Sequence, residues 1–347
     1  MSAMGDLLAF FWHPVCTLEE LRAAKPGGRG PMAVALLGRA LAVAELDGGE
    51  VVALDDRCVH RSTRLSVGTV DGPGLRCAYH GWLWDGQGHC REIPAMPDGP
   101  IPRRARVGAY STRLAYGLVW VRIDDRADTR VPACPGWDDP GFRVVAGAPY
   151  TWPVAAPRRV ENFVDLSHFA WVHDGSLARR TDTVPPLPTI TRAHGELRFH
   201  YDPPDEFEPD SSAMYGASAY RMPMPCTVNI SFSLATGARR VLWMTASPLD
   251  DASCRSFWFI ARDDDLAGDD EPHLAFQRQV LAEDEPVVCN QVPPEMPLDG
   301  GAELSVRTDR VSIEYRRWLR ELADAAHDPA AVHARVQAAA RLDAHRP

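Results

Sequence analysis

Cys58-Val59-His60, followed after sixteen residues by Cys77-Ala78-Tyr79-His80, is the stretch on which the reading of this chain turns. Each of two loops supplies one cysteine and one histidine. Two thiolates for one iron and two imidazoles for the other are the donors that a [2Fe–2S] centre of mixed ligation needs, and histidine ligation raises its reduction potential to roughly −150 to +300 mV. A structural Zn(Cys2His2) site could use the same donors. Zinc loops, however, pair residues of one kind in Cys-x2-4-Cys knuckles, whereas both pairs here are mixed. Arg57 and Arg61 bracket the first loop and Gly81-Trp82 follow the second.

Around this motif the composition is that of a globular enzyme. At ~150 residues per domain, 347 residues imply two domains. Hydrophobic residues make up 45% and charged residues 24%, which excludes wholesale disorder. With 37 basic against 47 acidic side chains the net charge is −10, the wrong sign for a chain that binds nucleic acid by neutralising phosphates. Thirty prolines exceed the usual ~5% and favour strands and long loops over a helical bundle. No apolar run approaches the ~18 residues of a membrane span. Leu7 to Trp12 is apolar, but Asp6 precedes it and His13-Pro14 ends it, so it does not read as a signal peptide. A cytoplasmic protein without a membrane partner is expected. Eight cysteines are too few for a disulfide scaffold, and in a reducing compartment clustered cysteines point to metal.

Short apolar runs over 32–56, split by Gly38 and Asp47-Gly48-Gly49, read as a meander. Leu75–Tyr79, Trp82–Trp84 and Tyr116–Ile123 read as further strands. The helix candidate 155–173 ends at Asp174-Gly175. Residues 182–210 read as a proline-rich loop, and Thr227–Leu234, Arg240–Ala246 and Ser256–Ala261 as antiparallel strands. Residues 262–272 read as a solvated acidic loop, 273–288 and 311–326 as helices, and the tail from Asp328 as a segment prone to fray. The fold class is therefore α+β: an all-β N-terminal domain over 1–135, and over 136–347 a domain of antiparallel sheet and helices.

That second domain carries its own donor set, in Asn162-x2-Asp165-x2-His168-x4-His173. Asp165 and His168, three apart, share a helix face. His168 and His173, five apart, lie about 140° around a regular helix and meet at one ion only if the helix bends or ends. Two imidazoles and a carboxylate leave positions open on Fe(II) for O2. The third ligand is expected at Asp284, with Glu283 and Glu285 as alternatives. The remaining cysteines, and His13, His89, His194, His200 and His273, read as structural or surface residues.

The two motifs together resemble the catalytic α subunit of Rieske non-haem iron oxygenases, and within that family the chain is similar to bacterial methylxanthine (caffeine/theobromine) N-demethylases. Phe11 to Cys16, Arg57 to Leu65, Glu161 to Phe169, Leu242 to Pro248, His273 to Asp284 and Val311 to Leu319 carry the resemblance. It implies a Rieske domain followed by a helix-grip-like catalytic domain, with Cys58, His60, Cys77 and His80 on the [2Fe–2S] cluster and His168, His173 and Asp284 on Fe(II). It also implies a head-to-tail homotrimer in which Asp165 bridges His80 of one subunit to His168 of the next, a catalytic role in electron transfer. O2 is then the cosubstrate. Electrons come from NAD(P)H through a separate reductase, with or without a ferredoxin, since no G-x-G-x-x-G after a strand is present.

On a helix through 273–288, Gln277, Leu281 and Asp284 fall on one stripe. Gln277, Leu281 and Phe169 are accordingly the substrate-contact candidates. A Gln amide both donates and accepts, which suits a lactam or imide edge. The resemblance makes the Gln and Leu more like the N3-directed than the N1-directed demethylases, although Val288-Cys289-Asn290-Gln291 departs from both. The expected reaction is hydroxylation of an N-methyl group with release of formaldehyde. O-demethylation or hydroxylation on the same scaffold is the alternative, and an electron-transfer protein without substrate the remote one.

Overall fold

The computed structural model describes residues 2–24, 30–181, 183–201, 218–234, 236–299 and 301–338, and the backbone of 340–342. The chain divides into two compact units, one of Leu8–Val131 and one of Ser2–Leu7 with everything from Pro132 onward. The first residues thus group with the second unit, not with the N-terminal domain as expected, and Ser2 Oγ donates to Asp251 there at 2.7 Å.

In the first unit, six antiparallel strands run in the order His13–Thr17, Leu118–Arg122, Ala109–Ala115, Val51–Asp55, Arg39–Glu45, Met32–Leu36. A smaller sheet orders Thr69–Asp71, Gly74–Arg76, Leu83–Asp85 and Cys90–Glu92. The strand expected over Leu75–Tyr79 ends at Arg76, because Cys77–His80 turns. Likewise Tyr116-Gly117 is a hairpin tip with both φ positive (58° and 67°), so its strand begins at Leu118. Leu54, Leu65, Leu75, Trp84 and Val107 form one apolar cluster that also takes in Cys58 and Cys77. The cysteines of the motif are therefore rooted in core.

In the second unit one antiparallel sheet runs Arg143–Ala146, Cys254–Arg262, Arg239–Pro248, Thr227–Ser233, Ser218–Pro223, Glu196–Tyr201, Thr189–Ala193, Ala340–Leu342, and Tyr150–Trp152 also pairs with Cys254–Arg262. Two of these strands fall inside the stretch expected as loop. The prolines cluster at 185–188 and from 203 onward, and the Pro-free run between them alternates, burying Ile190, Leu197, Phe199 and Tyr201 around the His194-Gly195 turn. The rest of that expectation, 182 and 202–210, lies outside the described residues. Among the described residues of the tail, regular structure stands where fraying was expected: Asp328 caps a helix over Pro329–Gln337 that buries Val332 and Val336, and Ala340–Leu342 adds a strand.

The single helix expected over 155–173 is two. Ala156–Val164 packs on the strands Arg239–Pro248 and Thr227–Ser233, and Phe169–Val172 is one turn. Between them Asp165 is extended (φ −86°, ψ 120°). The long helices Glu271–Val288 and Arg310–Asp324 appear where the sequence placed them. The acidic loop is not merely solvated, since Asp263, Asp264 and Asp270 pair with Arg239, Arg240 and Arg143.

Candidate metal centres

In the first unit the two motif loops are copies of one turn. The Cys58 N–H donates to Thr63 O at 2.8 Å and the Ser62 N–H to Cys58 O at 2.9 Å; the Cys77 N–H donates to Trp82 O at 2.9 Å and the Gly81 N–H to Cys77 O at 3.0 Å. The fourth residue after each cysteine is left-handed, Ser62 at φ 59° and Gly81 at φ 72°. At Gly81 a Cβ would also stand 3.0 Å from the Pro94 ring, so glycine is favoured there by both the backbone conformation and the close approach. Arg57 holds the first turn through Ser62 Oγ, at 3.1 and 3.0 Å, and Arg76 holds the second through Gly81 O at 2.7 Å. The histidine sits two residues after the cysteine in one turn and three after in the other.

The turns sort the donors by kind. The Cys58 thiol lies beside that of Cys77; burial, with that neighbour adding to it, pushes Cys58 up to about 11. The imidazoles of His60 and His80 meet edge to face at 4.4 Å, and Trp82 stacks on His60 at 4.6 Å. His60 Nδ1 is buried with no hydrogen-bond partner. An orphaned ring nitrogen beside another imidazole, with two buried thiols paired next to them, fits a cluster with one iron on sulfur and one on nitrogen.

In the second unit His168, His173 and Asp284 bring one donor atom each within 4.8 Å of one another. His168 Nδ1 lies 3.1 Å from Asp165 Oδ2, and His173 Nδ1 lies 2.7 Å from Glu283 Oε2. A carboxylate can only accept, so each Nδ1 carries a proton, which leaves each Nε2 as the nitrogen able to ligate a metal ion. The two Nε2 atoms face each other at 3.2 Å, with Asp284 Oδ1 at 3.5 and 3.2 Å from them. Two imidazole nitrogens and a carboxylate oxygen converging on one point are suited to hold a cation, and two imidazoles with one carboxylate are the facial donor set of an Fe(II) site. Among the three carboxylates considered from sequence, Asp284 stands in this group. Glu283 stands behind His173, where it also accepts from Ser176 Oγ (2.7 Å) and Gln279 Nε2 (2.9 Å), and Glu285 is exposed. Burial would raise the Asp284 carboxyl, but His173, Arg159 and His168 outweigh it and hold it below the usual carboxylate range. At Asp165 burial is likewise outweighed by the hydrogen bonds from His168 and Ser167.

A cavity of about 280 Å³ ends on these three residues. Gln277 and Phe169 line it; Leu281 does not, and its neighbour Val280 does. The inward stripe of the helix is Gln277, Val280, Asp284, Val288, so Val280 stands where the sequence placed Leu281. Phe169 packs edge-on against both His168 and His173. Phe163 also lines the cavity, whereas Trp171 is 58% exposed. Sequence reasoning missed the far wall, made by Ile230, Val241, Leu242, Met244 and Ile260; the alternating strands that carry them were its only signal. It also missed Arg159, Arg240 and His273, all of which line the cavity.

Residues 11–110 match the Rieske [2Fe-2S] domain, and residues 152–325 match the vanillate O-demethylase oxygenase C-terminal domain. Methylxanthine N1-demethylase NdmA of Pseudomonas putida is 43% identical over 324 residues, 92% of this chain and 90% of that protein. The chain belongs to the Rieske non-haem iron oxygenases. Methylxanthine N3-demethylase NdmB of the same organism is also 43% identical to this oxygenase, over 91% of the chain and 89% of the relative. The structure of P. putida CBB5 NdmA with caffeine superimposes with a TM-score of 0.93 at 39% identity, covering 100% of both chains. The family carries an iron–sulfur cluster and a non-haem iron, the groups to which the two donor sets are suited.

Proposed function

We propose that this oxygenase removes a methyl group from nitrogen on a small planar heterocycle of the methylxanthine kind. The observation that carries the reading is the apolar cavity that ends on His168, His173 and Asp284 with the Gln277 amide in its wall. At about 280 Å³ it lies below the ~300–1,000 Å³ of pockets for drug-sized ligands. Phe163 and Phe169 offer flat apolar faces, the aliphatic strand residues extend the apolar lining, and Gln277 offers a donor and an acceptor to a ring carbonyl or N–H. His168, His173 and Asp284 would hold Fe(II), and Cys58, His60, Cys77 and His80 the cluster. When bound, the iron supplies O2 activation and the cluster delivers electrons one at a time. One oxygen atom enters the methyl C–H and the other leaves as water, using two electrons and two protons. The carbinolamine so formed releases formaldehyde and leaves an N–H. The chain's part is to seat the methyl group over the open side of the donor set and to keep bulk water from it with the apolar wall.

Electrons are proposed to come from NAD(P)H through a separate reductase. The assembly is proposed as a cytoplasmic head-to-tail homotrimer with Asp165 joining His168 to His80 of the next subunit; no helix among the described residues is long and apolar enough to cross a membrane.

The test is a panel of N-methylxanthines, N-methylamides and aryl methyl ethers, with a surrogate reductase. N–H product with stoichiometric formaldehyde from the xanthines alone is expected. The match of residues 152–325 to a vanillate O-demethylase domain favours methyl-ether cleavage as the second reading. That reaction also releases formaldehyde, so phenol against secondary amine decides, and turnover of the ethers alone would overturn the proposal.

A further inference from the structure

Arg159 sits in the helix Ala156–Val164 with its side chain 1% exposed, and its guanidinium lies beside the carboxylate that closes the metal-binding group. Nε donates to Tyr150 Oη at 2.9 Å, and Nη1 donates to Asn162 Oδ1. The rings of Phe163 and Trp152 lie 4.0 and 4.3 Å from the guanidinium carbon, with Tyr150 at 5.6 Å. A permanently charged, planar group fixed on so many sides has one position. From it, Nη1 reaches Asp284 Oδ2 at 3.4 Å. The other oxygen, Oδ1, faces both histidine Nε2 atoms and accepts from Asn162 Nδ2 at 3.2 Å. The two oxygens of Asp284 are therefore not equivalent.

We infer that Arg159 is a positioning residue that makes Asp284 a one-oxygen ligand, by holding Oδ2 while Oδ1 is presented to iron. The inference rests on the proposed role of Asp284 as a ligand. A carboxylate that binds through both oxygens takes one more coordination position than one that binds through a single oxygen. A facial donor set works by leaving positions open, so a guanidinium that ties up the second oxygen keeps one for O2. Arg159 also lines the cavity, and contact with substrate is the competing role that the test must separate.

The test uses the full chain loaded with cluster and Fe(II). In a crystal structure of that form, a single Asp284 oxygen on iron with Oδ2 on Arg159 is expected; both oxygens on iron would overturn the inference. In Arg159→Gln, whose fold is checked by the cluster absorption and circular dichroism, the Fe(II)–nitric oxide resonance should change shape and iron affinity should fall about 10- to 100-fold, the usual cost of losing a group that orients a ligand. Arg159→Lys, which keeps a charged donor, should recover part of both. An unaltered resonance and iron affinity with only a raised KM would assign Arg159 to substrate and overturn the inference. Should the Gln variant not fold, the wild-type crystal structure decides alone. Asp284→Ala distinguishes the two levels: full iron retention there would overturn the ligand reading itself, whereas iron loss there with a normal Arg159→Gln overturns only the role of Arg159.

Discussion

Glu283 and Asp284 are neighbours in sequence and both touch His173, one at each ring nitrogen. On a helix adjacent side chains are ~100° apart, so one carboxylate fixes the tautomer from behind while the other faces the cation. Glu283→Gln should leave the cluster colour intact and lower iron affinity about 10- to 100-fold, read by Fe(II) titration. His168→Ala should keep the red-brown cluster but lose mononuclear iron and turnover; loss of the colour instead would contradict the division of donors between the two units. At this scale the sequence was informative wherever spacing alone defines a donor set. It put Asp284 first and left Glu283 and Glu285 as alternatives, because one residue is a rotation that only the packing of the helix fixes.

At the scale of elements, the expected helix over 155–173 illustrates what local pattern misses. The break at Asp165 is a backbone turn whose N–H still bonds to Glu161 O, so nothing in periodicity marks it; His168 and His173 then flank the single helical turn Phe169–Val172, which has ended by His173 (φ −111°, ψ 32°), and this ending lets them converge. The shift of the inward stripe from Leu281 to Val280 has the same origin, since both are apolar and only burial separates them. The loop that reads as free acid is a set of ion pairs. Arg143, at the start of an edge strand, holds Asp270 below its ordinary value of 3.8, with Arg262 assisting against the opposing effect of burial. A depressed carboxylate stabilises the fold fully above the unfolded value, and the gain is lost as pH falls through the folded one. The melting temperature of Arg143→Met should thus lie below that of the wild type at pH 7, by the few degrees or less expected of a surface pair, and the gap should close below pH ~4. A gap independent of pH would refute the pairing.

For the whole molecule, the proposed trimer makes electron transfer a property of two subunits. Asp165→Asn should retain both metals and yet leave the cluster reduced when substrate and O2 are present. A cluster-free Cys77→Ser chain should be inactive too. Co-folded mixtures should regain activity, because an intact cluster in one subunit then faces an intact Asp165 in another; mixtures no better than either parent would refute the bridge.

The large sheet is completed by residues distant in sequence, with Ile190 opposite Leu342. Pairings of such separation form slowly, because chain closure precedes any reward. Until Ala340–Leu342 arrives, Thr189–Ala193 presents an open row of amides and carbonyls to whatever strand is nearest, the usual seed of aggregation. Production of this enzyme should therefore benefit from cool induction and chaperone co-expression, and tags fused close behind Leu342 should cost soluble yield more than tags at the other terminus.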